Sequence, residues 1–556
     1  MGFNPVGQLE AELISALEAA LDKVLEDQAQ NIDKPEIEVE VPREKEHGDY
    51  ATNLAMVMAG RLSTNPRKLA EDLVEAFDYE LVSKLEIAGP GFINFYLKND
   101  WLYQTIGQVI SAGEDYGQTD KGKGEKVQIE FVSTNPTGPL HVGHSRGAVV
   151  GDVLANILEQ VNYEVYREYL INDAGNQMDL LGESTYLRYR ELFGKDIQMP
   201  ENSYQGNYII EIAEDLKAEY GEKLLEIDEK EALVISREKA YDHLLANIKD
   251  DLAEFRIEFD NWFSERTLHD ENKIQEVIDL LREKGYIYDK DGAIWFASTE
   301  FGDDKDRVAI KNDGSPTYMA ADMAYHYDKL ERGFDHLINV WGADHHGYID
   351  RMKAVIQAFG YDRDTLEIII VQIVTLLRDG KKVPMSKRAG DFVTMREVME
   401  EVGRDAARYF YTMRSTDSHF DFDLDLAKKE STDNPVYYIQ YANARIHSIL
   451  DNAGDLISET GEADLSLLQD ESEVDLIKMI ARYPDQLELA AARRAPHMIA
   501  NYAHELAGAF HGFYNRCRVI TDDRELSLAR LQLVRAAKVV LENVLRVLGV
   551  SAPEEM

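Results

Sequence analysis

Two histidines three residues apart, His141 and His144, lie in the segment TNPTGPLHVGH at 134–144. If a helix begins near Leu140, both imidazoles lie on the same face of its first turn. This end of a helix presents free backbone N–H groups and a partial positive charge, which suit a phosphate group. Two imidazoles there can donate to phosphate oxygens as charge builds during attack on phosphorus. The spacing alone also fits a metal-binding pair or two surface histidines.

The residues around the two histidines favour the phosphate interpretation. The run VQIEFV at 127–132 is typical of a short buried strand, and SRGAVVGDVLANILEQV at 145–161 has the apolar spacing of an amphipathic helix. A strand, a loop rich in proline and glycine, and a helix in this order open a nucleotide-binding α/β domain. Gly143 lacks a side chain, so a flat adenine ring can approach its backbone.

A second segment that could act on phosphate is GKKVPMSKRAG at 380–390. Lys387, with Lys381, Lys382 and Arg388 nearby, forms a cationic arm that lies between glycines. Such charge stabilises pentavalent phosphorus and departing pyrophosphate. A basic surface turn would be the better interpretation if HVGH were absent. The two segments, in this order and separated by an α/β pattern, predict an enzyme that uses ATP.

These segments resemble the HIGH and KMSKS motifs of class I aminoacyl-tRNA synthetases, and FVSTNPTGPLHVGH at 131–144 resembles the arginyl-tRNA synthetase form. The resemblance implies a Rossmann-type domain that forms an aminoacyl-adenylate from ATP with Mg²⁺ and then esterifies a tRNA 3′ end. It implies that His141, His144 and Lys387 are catalytic. The ATP-binding residues that it implies are His141, Gly143, His144, Met385, Ser386 and Lys387. Pro384 stands where the family usually has its first lysine, and whether Lys381 or Lys382 substitutes stays open.

The arginine side chain is a planar cation with five donors, so its site needs carboxylates and gains from an aromatic face. Tyr318 and Asp322 are four residues apart and share a helical face, although such a pair is more often structural. By resemblance, they and Glu265 contact the substrate side chain. Glu130 and Asn135 match family residues that hold the α-amino and α-carboxylate groups, and His345 matches a position that lines the site.

The cluster GADHHG at 342–347 could suggest a metal ion. Two adjacent histidines rarely coordinate one ion, however, and the single cysteine, Cys517, cannot form a cysteine-rich zinc site. We therefore expect no zinc.

The length of the chain predicts several modules that together position these residues, because 556 residues are too many for one core. We expect an α/β protein: a Rossmann-type parallel-sheet catalytic domain with a small α+β N-terminal domain and an all-α C-terminal helical bundle. The expected ranges are 1–118 for the N-terminal domain, 119–380 for the catalytic domain with a helical insertion at about 175–285, 381–432 for the MSKR loop and stem-contact region, and 433–556 for the anticodon-binding bundle.

Local patterns predict the individual elements. Apolar spacing predicts a helix over 9–28 and further helices over 476–492, 497–516 and 526–548. We expect strands at 37–41 and 367–377, and a strand–turn–strand unit at 85–97. The stretch 451–475 has nine acidic residues and no Lys or Arg, which is typical of a solvated linker or loop.

The flanking modules also resemble the arginyl enzymes. AGPGFINFYL at 88–97 is similar to their N-terminal domain, in which Phe92 and Asn94 match positions that stack on and hydrogen-bond to a D-loop base of tRNA. A buried strand residue and a turn-closing amide are the alternatives. NPVYYIQYANARIHSIL at 434–450 resembles the opening of the anticodon-binding domain. There we expect Tyr441 to bind tRNA, and at least one of Tyr437, Tyr438 and Tyr441 to lie in the core.

The overall negative charge argues against RNA binding only when the distribution of the charges along the chain is ignored. The net charge is −43, but residues 476–550 have eleven Lys and Arg against seven Asp and Glu. This local excess is compatible with RNA docking and does not require it, because a helical bundle with mixed surface charge fits equally. No secretory signal and no run of 18 apolar residues is apparent. We expect a cytoplasmic monomer that does not enter membranes.

The predicted reaction activates arginine with ATP and transfers it to the 3′-terminal adenosine of its tRNA. The resemblance implies that activation requires bound tRNA. Two alternatives stay open: a class I paralogue that makes an adenylate but charges another acceptor, and a non-catalytic tRNA-binding protein derived from a synthetase. The presence of His141, His144 and Lys387 speaks against the latter.

Overall fold

The computed structural model describes residues 4–27, 32–42, 44–383 and 392–556. Met385, Ser386 and Lys387, which are expected to bind ATP, lie outside these ranges. The described chain contains an N-terminal α+β module, a central module on a parallel sheet, and a C-terminal helical module. The expected fold class is therefore confirmed.

The N-terminal module packs helices on a three-stranded antiparallel sheet of order β1–β3–β2. Its elements are α1 (Pro5–Asp27), β1 (Tyr50–Thr52), α2 (Leu54–Leu62), α3 (Pro66–Ala76), β2 (Val82–Ala88) and β3 (Phe92–Leu97). The next helix, α4 (Asp100–Ala112), packs instead on helices of the C-terminal module. Leucines at every fourth position of α1 are buried in the core of the N-terminal module, as their helical spacing predicts: Leu9, Leu13, Leu17, Leu21 and Leu25. The strand expected at 37–41 is wrong. That segment makes only an isolated bridge from Glu40 to Ala51, and the next carbonyl oxygen on that side, of Glu38, accepts the Thr52 hydroxyl at 2.8 Å in place of a backbone N–H.

The central module alternates strands and helices. Its first half contains β4 (Lys126–Glu130), α5 (Val142–Gln160), β5 (Glu164–Ile171), α6 (Asn176–Glu191), α7 (Asn207–Tyr220), α8 (Glu229–Glu254), β6 (Asn261–Ser264), α9 (Arg266–Asp270) and α10 (Lys273–Glu283). Its second half contains β7 (Ile287–Lys290), β8 (Ala293–Phe296), β9 (Arg307–Ile310), α11 (Tyr318–Glu331), β10 (His336–Gly342), α12 (Ile349–Phe359) and β11 (Leu366–Val371).

Five of these strands form one parallel sheet of order β11–β10–β4–β5–β6. The sheet therefore has its carboxyl ends along one edge, where ligands of such folds bind. β4 is the central strand, and HVGH begins the helix that follows it.

The range 175–285 is not wholly helical. Helices α6, α7 and α8 pack on one another around small apolar cores, as an insertion does. Within the same range, however, β6 pairs with β5 and forms the edge of the central sheet. A second sheet of order β7–β8–β9 is antiparallel, and the sequence patterns did not indicate it.

A third small sheet follows, built from β12 (Val374–Arg378), β13 (Lys381–Lys382) and β14 (Phe420–Asp423), with α13 (Met395–Val402), α14 (Arg404–Thr412) and α15 (Leu424–Ala427) beside it. The single strand expected at 367–377 is in fact two strands, β11 and β12. The break has a physical reason. Buried Arg146 of α5 donates to the carbonyl oxygen of Gln372 at 3.1 Å, so this carbonyl is not free for a sheet ladder.

Arg146 binds three further carbonyl oxygens, those of Arg414, Ser415 and Ser418, at 2.7–3.3 Å. It thereby ties the helix that carries HVGH to the 414–418 loop.

The C-terminal module contains α16 (Pro435–Ala453), α17 (Glu471–Ala481), α18 (Tyr483–Ala492), α19 (His497–Arg516) and α20 (Arg524–Leu548). The acidic stretch 451–475 is not a free linker, because 3₁₀ turns fold part of it onto the helices. Thr460, for example, is fully buried and accepts hydrogen bonds from Gln532 and Arg535. Among the described residues, no helix has the length and apolar character that crossing a membrane demands.

Candidate active site

HVGH forms the first turn of α5, and His141 is its N-cap. The Nδ1 atom of His141 accepts the N–H of Gly143 at 3.1 Å, and the Nδ1 atom of His144 accepts the N–H of His141 at 3.4 Å. The two rings stack with their centroids 3.6 Å apart. Because each Nδ1 is an acceptor, each Nε2 is left to donate outward.

Burial keeps both imidazoles neutral. It lowers the pKa of His144 to about 3, with a smaller effect from His141, and it lowers the pKa of His141 as well. Both rings therefore act near pH 7 as neutral hydrogen-bond donors. Gly143 is required by the same geometry, since a Cβ atom there would lie 2.8 Å from Cε1 of His141.

The turn between β4 and HVGH is strained. Val132 and Ser133 have φ angles of +69° and +42°, and a β-branched residue rarely adopts the left-handed region. Strain of this kind costs about 1–3 kcal/mol and is commonly found where a site must be shaped. Both residues line cavities at the carboxyl end of the sheet.

Residues just after the MSKR segment are fixed beside HVGH. The N–H of Val142 donates to the carbonyl oxygen of Val393 at 3.0 Å, and the N–H of Met395 donates to that of Leu140 at 2.8 Å. The ring of Phe392 lies 5.4 Å from that of His141. The residues that directly follow the MSKR segment therefore lie against HVGH, and Lys387 itself lies outside the described residues.

A cavity of about 620 Å³, which we call the carboxylate cavity, lies between the carboxyl ends of β4 and β10 and the start of α11. All six residues expected to bind arginine line it, namely Glu130, Asn135, Glu265, Tyr318, Asp322 and His345. They come from positions up to 215 residues apart, and Tyr318 is 69% exposed.

Two carboxyl groups of this cavity have strongly raised pKa values. Burial, and to a lesser extent the charge of Asp173, raises the pKa of Glu265 to about 7. Burial also raises the pKa of Asp322 to about 7, opposed by a 2.7 Å hydrogen bond from the Tyr348 hydroxyl and reinforced by Glu265 and Glu130. Within the described parts of the chain, neither carboxyl forms an ion pair with a lysine or arginine. Arg307 and Arg351 also line the cavity, but Arg307 is paired with Asp303 and Arg351 lies over the ring of Tyr348. The two carboxyls therefore favour a cationic ligand.

Glu130 is held by a lysine that sequence reasoning missed. The Nζ atom of Lys329, fully buried, donates to Glu130 at 2.6 Å and to Asn339 at 3.0 Å. One oxygen of Glu130 thus has a fixed internal partner. The sequence did indicate that Lys329 lies near the site, because it is seven residues after Asp322 and so lies on the same face of α11. Tyr348, the partner of Asp322, gave no comparable signal.

A second cavity of about 570 Å³, which we call the glycine cavity, is lined by Gly143, Gly147, Trp341 and Gly342 together with both histidines. Asn135 and His345 line it as well as the carboxylate cavity, so the two spaces adjoin.

A third cavity of about 840 Å³, the insertion cavity, lies between HVGH and residues 203–208 of the helical insertion, and Asn135 lines it too. Asn135 is thus the residue at which all three cavities meet. Among the described residues, no cluster of three or more His, Cys, Asp or Glu side chains is arranged to hold a metal ion.

The residues expected to bind tRNA line none of these three cavities and lie in the N- and C-terminal modules. Phe92 is half-buried on β3, but Asn94 on the same face is only 4% exposed. Tyr441 is half-buried on α16, where it accepts a hydrogen bond from Arg445 and stacks on Tyr437 and His511. Tyr437 and Tyr438 are also half-buried, and Tyr438 packs against the edge of the core.

Three family models match the chain in succession. They describe the arginyl tRNA synthetase N terminal domain at 11–97, the catalytic domain of class I tRNA synthetases (R) at 105–417, and the DALR anticodon binding domain at 439–556. The arginine–tRNA ligases of Geobacillus thermodenitrificans and Bacillus licheniformis are each 52% identical to this chain, with 100% of both chains covered.

The fold is shared more widely. The solved structure of the Thermus thermophilus arginyl-tRNA synthetase superposes with a TM-score of 0.75 at 22% identity, over 98% of this chain and 100% of that one.

Proposed function

This chain belongs to the arginyl-tRNA synthetase family and ligates arginine to tRNA with ATP, and we propose that its carboxylate cavity holds the arginine and its glycine cavity the nucleotide. Relatives that match over the full length support neither a paralogue with another acceptor nor a non-catalytic tRNA-binding protein.

One observation carries the assignment of the carboxylate cavity. Two carboxyls with pKa values of about 7 face a space that is also lined by the exposed ring of Tyr318. A guanidinium between Glu265 and Asp322 would favour their ionised forms, and its planar fork suits paired hydrogen bonds. Tyr318 supplies an aromatic face for the same group.

The other end of the substrate lies toward HVGH. Glu130, held by Lys329, takes the α-ammonium group, and Asn135 takes the α-carboxylate. His345 lines both cavities and so lies where arginine and ATP adjoin. These assignments place the attacking carboxylate next to the nucleotide, which lowers the barrier by orientation.

The reaction has two steps. The carboxylate of arginine attacks the α-phosphorus of ATP, which enters with Mg²⁺, and pyrophosphate leaves. A hydroxyl of the terminal adenosine, the 2′-hydroxyl by class, then attacks the arginyl carbonyl and releases AMP. His141 and His144 donate from Nε2 to phosphate oxygens as charge develops, Gly143 leaves room for adenine, and Met385, Ser386 and Lys387 complete the ATP site.

The modules at the two ends take the rest of the tRNA. Phe92 and Asn94 are assigned to its D-loop corner and Tyr441 to its anticodon side. The covered position of Asn94 means that neighbouring groups must move before a base reaches it. We propose that the protein is cytoplasmic and monomeric. Light scattering of the purified chain tests the monomeric state.

Aminoacylation of whole tRNA with each of the twenty amino acids tests the assignment directly. Of the twenty amino acids, only arginine should be esterified to tRNA. ATP–pyrophosphate exchange with arginine should be slow until tRNA is added, and fast exchange without tRNA would contradict the proposed order of binding.

A further inference from the structure

Four buried polar side chains form one hydrogen-bonded network beside the carboxylate cavity, which we call the polar network: His326, Asn339, Lys329 and Glu130. None of the four residues is more than 5% exposed. His326 and Lys329 belong to α11, whereas Asn339 of β10 lies directly opposite Glu130 of β4 in the parallel sheet. Side chains of one helix therefore reach two neighbouring strands at the edge of the site.

The direction of each hydrogen bond in the polar network is set from one end by a backbone carbonyl, which can only accept. Nδ1 of His326 donates to the carbonyl oxygen of Asp322 at 2.8 Å. Burial, reinforced by the charge of Lys329, lowers the pKa of His326 to about 3, so the ring is neutral and its Nε2 accepts. Nδ2 of Asn339 donates to that atom at 3.1 Å, and the amide oxygen accepts from Nζ of Lys329 at 3.0 Å. The last bond joins Lys329 to Oε2 of Glu130 at 2.6 Å.

Lys329 is fully buried, and its surroundings satisfy its charge. Besides Glu130 and Asn339, it has the ring of Tyr325, whose centroid lies 4.5 Å from Nζ. A buried ion pair adds little stability compared with apolar residues of similar volume. Since this pair borders a ligand cavity, we look for its role in binding.

The polar network leaves one oxygen of Glu130 for a ligand. Within the described ranges of the chain, Oε2 bonds to Lys329, no donor bonds to Oε1, and Glu130 lines the carboxylate cavity. A single oxygen suits an ammonium group, which is a compact cation with three donors. It cannot accept the paired hydrogen bonds that a guanidinium makes with both oxygens of a carboxylate.

Building on the proposed function, we propose that the polar network determines which end of arginine binds at Glu130, by occupying one carboxylate oxygen and leaving the other for the α-ammonium group. The guanidinium is thereby directed to Glu265 and Asp322, which have no such internal partner among the described residues. His326, Asn339 and Lys329 are positioning residues in this role, because they act on the substrate through Glu130.

The test compares arginine with δ-guanidinovalerate, which is arginine without its α-amino group. Calorimetry gives the dissociation constant of each ligand with the full-length protein. The analogue should bind the unaltered protein about thirtyfold more weakly than arginine, the effect of one charge-assisted hydrogen bond.

The ratio of the two dissociation constants should fall below about threefold in Lys329→Met. A buried carboxylate without a cation takes up a proton, and the resulting acid is a poor acceptor for an ammonium group. In Asn339→Leu the ratio should fall in part, because Lys329 still pairs with Glu130 but loses the amide that orients it. Asn339→Leu retains the ion pair, so it keeps the test decisive if Lys329→Met fails to fold.

Glu168→Gln is the matched control. Glu168 is fully buried, accepts hydrogen bonds from Arg332 and from Tyr325 of α11, and does not line the carboxylate cavity. The control thus loses a buried ion pair close to the same helix, as Lys329→Met does, and should keep the full thirtyfold ratio. A purely structural role of Lys329 would weaken both ligands equally and leave the ratio unchanged.

Two results would overturn the inference. An unchanged ratio in Lys329→Met would mean that the polar network only supports the fold, and a larger ratio would mean that Lys329 competes with the α-ammonium group for Glu130. The proposed function fails separately. If arginine and its analogue bind the unaltered protein equally well, Glu130 does not hold the α-ammonium group, whatever the variants do.

Discussion

Two sets of carboxyls lie near α11, Glu168 in one and Asp322 with Glu265 in the other, and their surroundings differ in one respect. Glu168 of β5 is fully buried, yet it accepts hydrogen bonds from Arg332 at 2.5 and 2.8 Å, from Tyr325 at 2.7 Å, and from Gln128 and Asn261. Burial opposes its ionisation, but these donors, Arg332 first, lower its pKa.

Asp322 and Glu265, which line the cavity, have raised pKa values, and among the described residues neither forms an ion pair with a lysine or arginine. The charge of Arg351 lowers the pKa of Asp322, but by less than burial, Glu265 and Glu130 raise it. The same helix thus borders a carboxylate that is already satisfied and two that are not. A buried charge with its full set of partners is a structural element, whereas one that lacks them marks a place for a ligand. Two substitutions and a change of pH test this contrast.

The largest effect is expected from Asp322→Asn. Loss of one buried charge partner of the guanidinium costs about 3 kcal/mol, so kcat/KM for arginine should fall roughly 150-fold. The free variant should be at least as stable as the parent, because an uncompensated carboxyl has been removed. Aminoacylation kinetics and chemical denaturation measure the two quantities, and an equal loss in both would show that Asp322 is structural.

Glu168→Gln should produce the opposite pattern. It leaves Arg332 without its anion, and the unfolding free energy should fall by about 2 kcal/mol, a value below that for fully buried pairs because Arg332 is partly exposed. Arginine affinity should change little. Asp322→Asn is the matched control, and a loss of arginine affinity without loss of stability would contradict the structural role of Glu168.

The smallest effect is expected from pH. Arginine binds the ionised carboxyls, whose pKa values are about 7 in the free protein. Its affinity should therefore be lost as the pH falls through 7, by about tenfold per carboxyl between pH 8 and pH 6. Calorimetric titration measures this slope, which should be shallower in Asp322→Asn. A flat profile in the parent protein would mean that these carboxyls do not meet the guanidinium.

The sequence predicted best what is local. His141, Gly143 and His144 lie within four residues, and their strand–loop–helix context predicted the helix start at which they are found, although not the cap that His141 forms there. The carboxylates of the cavity came from resemblance, because no pattern links Glu265 to Asp322 before the chain folds.

Lys329 shows what local patterns leave out. Its partner Glu130 is 199 residues away, and only the folded arrangement that sets α11 near the carboxyl end of β4 brings them together. Contacts between residues distant in sequence also decided two other features that local patterns did not predict. The strand β6 inside the insertion range forms because it pairs with β5, and the break between β11 and β12 lies where Arg146 binds the carbonyl oxygen of Gln372.

Arg146 also has a consequence for how this protein can diverge. All four of its acceptors are backbone carbonyls, and every residue type supplies one. Positions 372, 414, 415 and 418 can therefore accept new side chains without depriving the guanidinium of a partner. Position 146 has no such tolerance, since lysine offers three donors from a single nitrogen and cannot reproduce the fork. Among natural relatives, the residue types at positions 372, 414, 415 and 418 should therefore vary, whereas position 146 should remain arginine.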